Sequence, residues 1–419
     1  MNMRRFSFLL LLLTFLFGNA SADPIRVLFL GHESKHHNSN EYFPILSKAL
    51  GRDAIYFDYV TSVGQALDDS ARLNKFDALL LYANHPKITA LQWKNLLAFV
   101  KKGKGFVPVH CASWCFSNVP EFDQLVGGRF KSHQGTVFSP RIVAKDHPAV
   151  SGVGEIKAWD ETYFHHRHNP KNRTVLMVRD SMPGDPHKES EPWTWVRTEG
   201  KGRVFYTASG HDERVWNNPE FHNLIKQGIL WSVGDSVRKR YETFIAGRAP
   251  LKYEKRDNIP NYERRPEPLP FQLPLAPEDS IKHTQVPVGF SLELFASEPE
   301  IVNPIYFQWD ERGRLWVVET VDYPNEIKDG RKGNDRIKIC EDTDGDGKAD
   351  KFTVFAEGFN IPTSMTFARG GVILAHAPDF LFLKDTDGDD KADVREVLFT
   401  GFGTGDTHAG PSNLRYGLD

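Results

Sequence analysis

Seven side chains in the first half of the chain are of types that move protons or bind metal ions. They are six histidines and one glutamate: His32, His36, His37, His110, His133, Glu161 and His211. Histidine changes charge near neutral pH, so clustered imidazoles and a carboxylate can act as metal ligands or as a general acid and base. We predict a catalytic site made of four of them: His110, His133, Glu161 and His211.

Two aspartate-rich loops in the second half follow much of the pattern of a calcium-binding loop. In "DTDGDGKAD" and "DTDGDDKAD", carboxylates at alternate positions of a tight loop converge on one point, which suits a hard cation. The predicted ligands of a structural Ca²⁺ in the first loop are Asp342, Asp344, Asp346, Lys348 (through its carbonyl) and Asp350. Those in the second loop are Asp385, Asp387, Asp389, Lys391, Asp393 and Glu396.

Both loops depart from a complete EF-hand. The first loop has Gly347 at the sharp turn but Thr353 at the twelfth position, where a ligand is expected. The second loop has Asp390 instead of the turn glycine, which should weaken or distort it. The alternative is a pair of acidic, solvated turns that bind no ion tightly.

The elements that must position the histidines follow from the apolar pattern. Continuous apolar runs, typical of strands buried on both faces of a parallel sheet, are "IRVLFLG", "AIYFDYV", "ALLLYA" and "GFVPVHC". Helical spacing in "EYFPILSKALG" and "ALQWKNLLAFVKKG" separates them. Later strands are predicted at "TVLMVRD", "WTWVRTEG" and "GRVFYTASG", and a closing helix at "PEFHNLIKQGILWSVG". The pattern predicts an α/β fold with a doubly wound, mainly parallel sheet and ligands at its carboxyl edge.

Changes of pattern divide the chain into four segments. Residues 1–22 predict a cleaved signal peptide, because "MNMRR" is positively charged, "FSFLLLLLTFLFG" is apolar but short for a membrane span, and "ASA" suits cleavage. We therefore expect an exported protein with no membrane span after cleavage; an uncleaved anchor is the alternative. The other segments are an α/β domain, a Pro-rich linker and a repetitive β domain: residues 23–245, 246–287 and 288–419.

The last segment contains a repeat. "ICEDTDGDGKADKFTVFAEGF" recurs 43 positions later as "FLKDTDGDDKADVREVLFTGF", each after a strand pair around a Gly turn. A repeat of this length with several strands predicts β-propeller blades. About three blades fit, whereas a ring typically needs about 4–8, so we expect a partial propeller, either a truncated form of a longer protein or one that a partner completes.

Composition argues against several partners and cofactors. The 419 residues carry a formal net charge of −3 and no Lys/Arg stripe, which argues against a nucleic-acid partner. The chain has three cysteines, Cys111, Cys115 and Cys340, so at least one thiol is free. We therefore do not expect disulfide bonds to be the main source of stability. No CxxCH motif is present to attach a haem.

Five ordered motifs in residues 24–234 resemble the ThuA-like (trehalose utilisation) family. They are "GKGFVPVHCAS", "LVGGRFKSHQGT", "DHPAV", "WDETY" and "GRVFYTASGH…IKQGILWSVG". The resemblance implies the flavodoxin-like α/β fold of class I glutamine amidotransferases. It also implies a link to sugar metabolism, particularly of disaccharides and their keto derivatives.

The resemblance bears on whether Cys111 is a nucleophile. The amidotransferase elbow reads Gly, any residue, Cys, any residue, Gly, whereas "PVHCA" puts His110 in the cysteine slot and Cys111 one residue later. The flanking positions are Pro108 and Ala112, not glycines. A thiol displaced on so tight a turn points elsewhere and lacks an activating base. We therefore favour the His/Glu site over a cysteine triad.

The second half resembles the start of membrane-bound dehydrogenase-like β-propellers. The residues that carry this resemblance are "NPIYFQWDERGRLWVVETVDYP", the two Asp loops and "GDTHAGPSNLRYGLD". Such propellers are similar to quinoprotein sugar dehydrogenases, which implies a quinone-dependent reaction in a closed ring. The ring is incomplete here, so a quinone is not supported, and His408 is expected to be an exposed loop histidine.

The preferred interpretation is an exported protein of carbohydrate metabolism whose ThuA-like domain acts on a sugar or keto-sugar. In this mechanism His110 or His211 moves a proton to or from a hydroxyl group while Glu161 orients it. Two alternatives stay open: a non-catalytic carbohydrate-binding and interaction protein, or a fragment of a quinone-dependent sugar dehydrogenase.

Overall fold

A computed structural model describes most of the chain, namely residues 22–185, 188–256, 258, 264, 270–324 and 327–417. The chain divides into two compact units, residues 1–272 with 283–290 and residues 273–282 with 291–419. The predicted signal peptide lies outside the described residues except for Ala22. Within the described ranges, no helix is both long enough and apolar enough to cross a membrane.

The first unit is a mixed α/β structure. Its strands are β1 (Ile25–Leu30), β2 (Ile55–Val60), β3 (Ala78–Leu81), β4 (Gly105–Pro108), β5 (Arg129–Ser132), β6 (Gly135–Phe138), β7 (Arg141–Ile142), β8 (Ala158–Glu161), β9 (Phe164–His166), β10 (Arg173–Arg179), β11 (Glu191–Glu199), β12 (Gly202–Thr207), β13 (Tyr253–Glu254) and β14 (Phe271–Gln272). Its helices are α1 (Ser39–Gly51), α2 (Val63–Leu67), α3 (Ser70–Leu73), α4 (Ala90–Lys101), α5 (Glu121–Val126), α6 (Glu213–Trp216), α7 (Pro219–Ser232) and α8 (Asp235–Ala246).

An eight-stranded sheet forms the centre of this unit, in the order β2-β1-β3-β4-β12-β11-β10-β7. The first five strands in this order pair in parallel, as their continuous burial predicts, and β11, β10 and β7 add antiparallel partners. The order of the parallel part is that of flavodoxin-like doubly wound sheets. The predicted α/β sheet is therefore confirmed, with a larger antiparallel portion than a mainly parallel sheet implies.

The helices form where the sequence pattern places them. The α4 helix begins with a capping box, in which Thr89 accepts from the Gln92 N–H and the Gln92 side chain accepts from the Thr89 N–H. Apolar side chains of α1, α4 and α7 are buried in one core with the strands, and this core includes the predicted closing helix α7. Burial of these faces holds the sheet edge in a fixed position.

Two small antiparallel sheets interrupt the α/β alternation between β4 and β10. One pairs β5 with β9 and the other pairs β6 with β8. The sequence pattern does not predict them, because their strands are short and partly exposed. They carry two of the predicted site residues, His133 and Glu161.

The predicted linker, residues 246–287, has some regular structure. The strands β13 and β14 pair within it, and the short helix α9 (Pro277–Ile281) follows. The sequence pattern does not indicate this strand pair, because two residues in each strand are too few to give a periodic signal.

The second unit is mainly β-sheet. Its strands are β15 (Pro304–Trp309), β16 (Leu315–Glu319), β17 (Asp335–Glu341), β18 (Lys351–Phe359), β19 (Ser364–Ala368), β20 (Gly371–His376), β21 (Asp379–Lys384) and β22 (Val394–Phe399). They form two four-stranded antiparallel sheets in chain order, and a shared apolar core contains side chains from both. Each sheet corresponds to one copy of the sequence repeat.

Residues 400–417, which the structure describes, form no helix or strand. Among the described residues, the repeat therefore forms two four-stranded sheets. Their membership of a propeller stays a prediction.

We predict that Leu80→Ala lowers the free energy of unfolding by about 2–5 kcal/mol, because Leu80 is fully buried in the central strand β3. Leu91→Ala is the matched control: Leu91 lies on α4 and is 56% exposed, so a change within about 0.5 kcal/mol is expected. Urea unfolding followed by circular dichroism measures both. Equal losses in the two variants would contradict the position of β3 in the core.

Candidate functional site

Three histidines meet at the carboxyl edge of the parallel sheet. His37 follows β1, His110 follows β4 and His211 follows β12. The strands β1 and β4 flank β3, and β4 pairs with β12, so these chain segments end side by side. This edge is where doubly wound sheets place their ligands.

His110 occupies the sharp turn between β4 and the short 3₁₀ helix His110–Trp114. Its backbone is left-handed, with φ 49°, and its side chain is fully buried. His110 Nδ1 donates to the carbonyl of Ala208 at 2.6 Å, and the ring stacks on Tyr163 at 4.2 Å. Burial is the main cause that lowers the pKa of His110 to about 4, so the imidazole is neutral at pH 7.

His37 also belongs to the site, although the sequence analysis did not select it among the final four residues. His32 Nε2 donates to the His37 carbonyl at 2.8 Å and thereby holds the loop that carries His37. His36, one residue earlier, is exposed. A choice between adjacent histidines depends on the loop conformation, here a left-handed His37 with φ 54°, and the strand pattern contains no signal for it.

Glu161 comes from outside the main sheet, at the end of β8. The adjacent Asp160 fixes its position, because the Asp160 carboxylate accepts from the backbone N–H groups of Glu161 (2.9 Å), Gly210 (3.1 Å) and His211 (3.1 Å). Burial raises the pKa of Asp160 to about 7, and these three hydrogen bonds act against the increase. Asp160 is a positioning residue that sequence analysis missed, since only its contacts distinguish it from other aspartates.

The turn that carries His211 requires a glycine. Gly210 has φ +135°, and a Cβ there would lie 3.3 Å from His110 Cβ. Its carbonyl accepts from the Tyr82 hydroxyl at 2.8 Å and from Trp216 Nε1 at 2.9 Å. These bonds and those of Asp160 hold His211 against the end of β4.

Glu161 is the centre of the cluster. Its Oε2 lies 3.3 Å from His110 Nε2 and 3.6 Å from His37 Nε2, and its Oε1 lies 3.2 Å from His211 Nδ1 and 3.4 Å from His133 Nδ1. His37 Nε2 and His211 Nδ1 are 3.3 Å apart. The structure therefore brings all four predicted residues together and adds His37.

The electrostatics of the cluster favour an ionised Glu161. Burial acts to raise the pKa of Glu161, but contacts with the imidazoles, first that of His110, hold it well below its usual range. Burial acts to lower the pKa of His211, yet Glu161 and nearby aspartates raise it above the usual value. The Glu161 carboxylate is thus charged. Of its partners His110 and His211, His211 is the more basic imidazole.

Exposure of the side chains increases across the cluster. The side chain of His110 is 0% exposed, that of His211 is 25% exposed and that of His133 is 44% exposed. Solvent therefore reaches the cluster from the side of His133 and His211, and His110 forms its floor. The arrangement suits proton transfer at the open side, and the catalytic roles themselves stay predictions.

Two further histidines, His165 and His408, are not part of the cluster. His165 is buried and contacts Glu191 at 3.0 Å and the Tyr206 hydroxyl at 3.0 Å, which is a structural role. His408 is exposed, as expected, and its Nδ1 lies 3.1 Å from Asp406.

The cysteines are free and buried: Cys111, Cys115 and Cys340. Burial raises the pKa of the Cys111 thiol well above its usual value and raises that of Cys115 to about 12. An activated thiol needs the opposite shift. The geometry therefore agrees with the interpretation against a cysteine triad.

The two Asp loops occupy equivalent positions in the second unit, between β17 and β18 and between β21 and β22. Each brings three carboxylates together, with one oxygen from each within 4.8 Å of the others: Asp342, Asp344 and Asp350, and Asp385, Asp387 and Asp393. The predicted ligands Asp346 and Asp389 instead accept from the backbone N–H of Lys348 and Lys391, respectively, and Glu396 is exposed on β22.

The turn position of the second loop is strained, as its sequence implies. Asp390 has φ 63° where Gly347 has φ 88° in the first loop. An ion pair with Arg314, at 2.8 Å, holds the Asp390 carboxylate away from the three clustered ones. The side chain that replaces the glycine therefore has a partner of its own.

Comparison with known families adds to this geometry. Residues 26–232 match the ThuA family, described as trehalose utilisation, and residues 276–419 match DUF7133, described as a domain of unknown function. The first unit thus contains a ThuA-like domain, related at family level to carbohydrate utilisation, which confirms that resemblance. The resemblance of the second half to dehydrogenase-like propellers stays a prediction.

Several solved structures are similar to half of the chain. A protein described as ThuA-like from Parabacteroides merdae ATCC 43184 is 21% identical over 50% of this chain and 90% of its own, with a TM-score of 0.44. Another from Bacteroides uniformis ATCC 8492 is 16% identical over 50% and 92%, with a TM-score of 0.44. A search of curated proteins found no match.

We predict that no thiol of the folded protein reacts rapidly with Ellman's reagent and that all three react in guanidinium chloride, because each is buried and uncharged. The number of thiols that react within minutes measures this. A single fast-reacting thiol in the folded protein, with loss of a substrate-dependent activity on modification, would instead support a cysteine nucleophile.

Proposed function

We propose that the first unit binds and transforms a sugar or keto-sugar in an exported protein of carbohydrate metabolism. The observation that carries this proposal is the convergence of four imidazoles on one ionised carboxylate at the open edge of the sheet. The match of residues 26–232 to a family of trehalose utilisation supports the substrate class. The signal-peptide pattern of residues 1–22 supports export.

Proton transfer is assigned to the imidazoles at the open side, His133 and His211. Both contact Oε1 of Glu161, so the carboxylate orients them and stabilises the imidazolium that forms when either accepts a proton. A hydroxyl group, or a carbon beside a keto group, then exchanges its proton with an imidazole. Histidine suits this role because its ordinary pKa lies close to neutral pH.

His110 has a different role in this proposal from the one expected from sequence alone. Its side chain is fully buried and its Nδ1 is bonded to a backbone carbonyl, so it positions Glu161 from below and does not itself contact the sugar. Tyr163 packs against the His110 ring and limits its rotation. Proton transfer to the substrate therefore falls to the more exposed histidines.

We also propose that the second unit is the start of a propeller whose Asp loops bind structural Ca²⁺. Supporting this are two consecutive four-stranded sheets with one acidic loop at the same hairpin of each. Three carboxylates held within 4.8 Å repel one another unless a cation lies between them.

We predict that His133→Ala lowers kcat/KM for disaccharides or their 3-keto derivatives by about 10²- to 10⁴-fold, because it removes a proton-transfer group. The chain from residue 23 onward is incubated with a panel of these sugars, and product formation is followed by chromatography. His36→Ala is the matched control, since His36 is exposed and outside the cluster, and it should keep full activity.

The possible outcomes separate the alternatives. Affinity for a sugar without product, in both the original chain and His36→Ala, would support a pure binding module. Full activity of His133→Ala would contradict its role in proton transfer, and equal losses in the two variants would contradict a site centred on Glu161.

We predict that Ca²⁺ stabilises the second unit by about 2.7 kcal/mol for each occupied loop at a hundred times the Kd, and so raises its unfolding midpoint. The double variant Asp342→Asn/Asp385→Asn should lose most of this gain, because each change removes one clustered carboxylate. Asp406→Asn, at an exposed aspartate of the same unit, should keep it. Calorimetry with and without Ca²⁺ makes the comparison, and an unchanged midpoint in the original chain would contradict calcium binding.

A further inference from the structure

One polar atom at the centre of the cluster lacks the partner that its burial demands. His110 Nε2 is buried and has no hydrogen-bond partner among the described residues. It lies 3.3 Å from Glu161 Oε2, but the contact is not aligned as a hydrogen bond. An unsatisfied buried polar atom costs about 1–3 kcal/mol, so its position calls for an explanation.

The tautomer of His110 makes this contact unfavourable as it stands. Because Nδ1 donates its proton to the Ala208 carbonyl, a neutral His110 has a lone pair on Nε2. This lone pair faces the Glu161 carboxylate, which also only accepts when ionised. Two acceptors held at 3.3 Å in a buried site are stabilised by a cation between them.

Five atoms from four side chains, two of them the oxygens of Glu161, converge on that position with spacings close to those of a coordination shell. The pairs His110 Nε2–Glu161 Oε2, His37 Nε2–Glu161 Oε2, His211 Nδ1–Glu161 Oε1 and His37 Nε2–His211 Nδ1 are 3.3, 3.6, 3.2 and 3.3 Å apart. Nitrogen and oxygen ligands about 2.0–2.1 Å from a tetrahedral ion are about 3.3–3.4 Å from each other. One ligand atom from each of the four side chains lies within 4.8 Å of the others, so small movements would bring them to the spacing of a tetrahedral site.

The surrounding groups orient the ligands as they do in metalloproteins. Ligating histidines usually bond through their second ring nitrogen to a carbonyl or another polar group. His110 does so through Ala208, at 2.6 Å, and His37 Nδ1 lies 3.2 Å from the side-chain amide of Asn84. His211 is fixed through its backbone by Asp160.

We propose that His37, His110, Glu161 and His211 together bind one divalent first-row transition-metal ion. Zn²⁺ is the probe for this site. Three imidazole nitrogens and one carboxylate are the donors that such ions prefer, whereas Ca²⁺ and Mg²⁺ prefer oxygen. The two metal classes thus divide between the units, with transition metal at the histidine cluster and calcium at the Asp loops.

His133 lies outside this ligand set, at the exposed side. If the proposed sugar chemistry holds, on which this step rests, the ion polarises a carbonyl or hydroxyl oxygen of the sugar. His133, still free to exchange protons with solvent, then takes or gives the substrate proton. With the ion bound, His37, His110 and His211 are ligands, so His211 no longer shares in the proton transfer. His133 alone is then the acid or base.

Zinc binding to the full chain tests the proposal directly. The chain from residue 23 onward is stripped with EDTA and titrated with Zn²⁺ in calcium-containing buffer, and bound metal is counted by mass spectrometry. We expect one tight site per chain. His37→Gln and Glu161→Gln should each weaken zinc binding by more than about 100-fold. Loss of a residue that only hydrogen-bonds to a ligand typically weakens metal binding by about 10- to 100-fold, so the larger effect identifies a ligand.

The controls use the same kind of change at neighbouring or competing positions. His36→Gln, one residue before a proposed ligand, should bind zinc as the original chain does. His133→Ala and the double variant Asp342→Asn/Asp385→Asn should also keep the site. Circular dichroism verifies that each variant folds, and bound Co²⁺ should give the intense visible bands of a tetrahedral ion.

Each outcome bears on one proposal. No zinc site in the original chain, or equal weakening by His36→Gln and His37→Gln, overturns the metal site. Tight zinc binding without turnover of any sugar supports the metal site and counts against the proposed function. Turnover that survives complete metal removal supports the proposed function and overturns the role of the ion in it.

Discussion

The site depends on the docking of a small sheet onto the edge of a large one. Three histidines come from loops after parallel strands, but Glu161 comes from β8, which pairs with β6 in a separate two-stranded sheet. The carboxylate of Asp160 ties the two together by accepting from the backbone N–H groups of Gly210 and His211. These two bonds, together with the pairing of β8 and β6, place Glu161 among the imidazoles.

Burial and charge then oppose each other within the cluster. A carboxylate that is mostly removed from water is costly unless positive or hydrogen-donating groups surround it. Glu161 meets four imidazoles within 3.6 Å, and the deepest of them, His110, is also the one with a lone pair directed inward. Protons or a metal ion resolve the same imbalance, so acid–base chemistry and metal binding are two properties of one electrostatic arrangement.

Much of this could be predicted from the sequence, and the remainder has identifiable reasons. The buried parallel strands give continuous apolar runs. These runs predict where each strand ends, and therefore that His110 and His211 lie at the carboxyl edge of the sheet. The short strands β5, β6, β8 and β9 are partly exposed and have no comparable period. The loop conformation decides that His37, and not His36, joins the site, and backbone contacts give Asp160 its role. Neither can be inferred from the spacing of residues in the sequence.

Two of the proposed ligands stand on unusual backbone. His37 and His110 both adopt left-handed φ angles, 54° and 49°, a conformation that glycine adopts without steric cost. A glycine at either position would relax the chain and at the same time delete an imidazole. Steric strain at these two turns is therefore a stability cost that the chain carries together with two side chains of the proposed site.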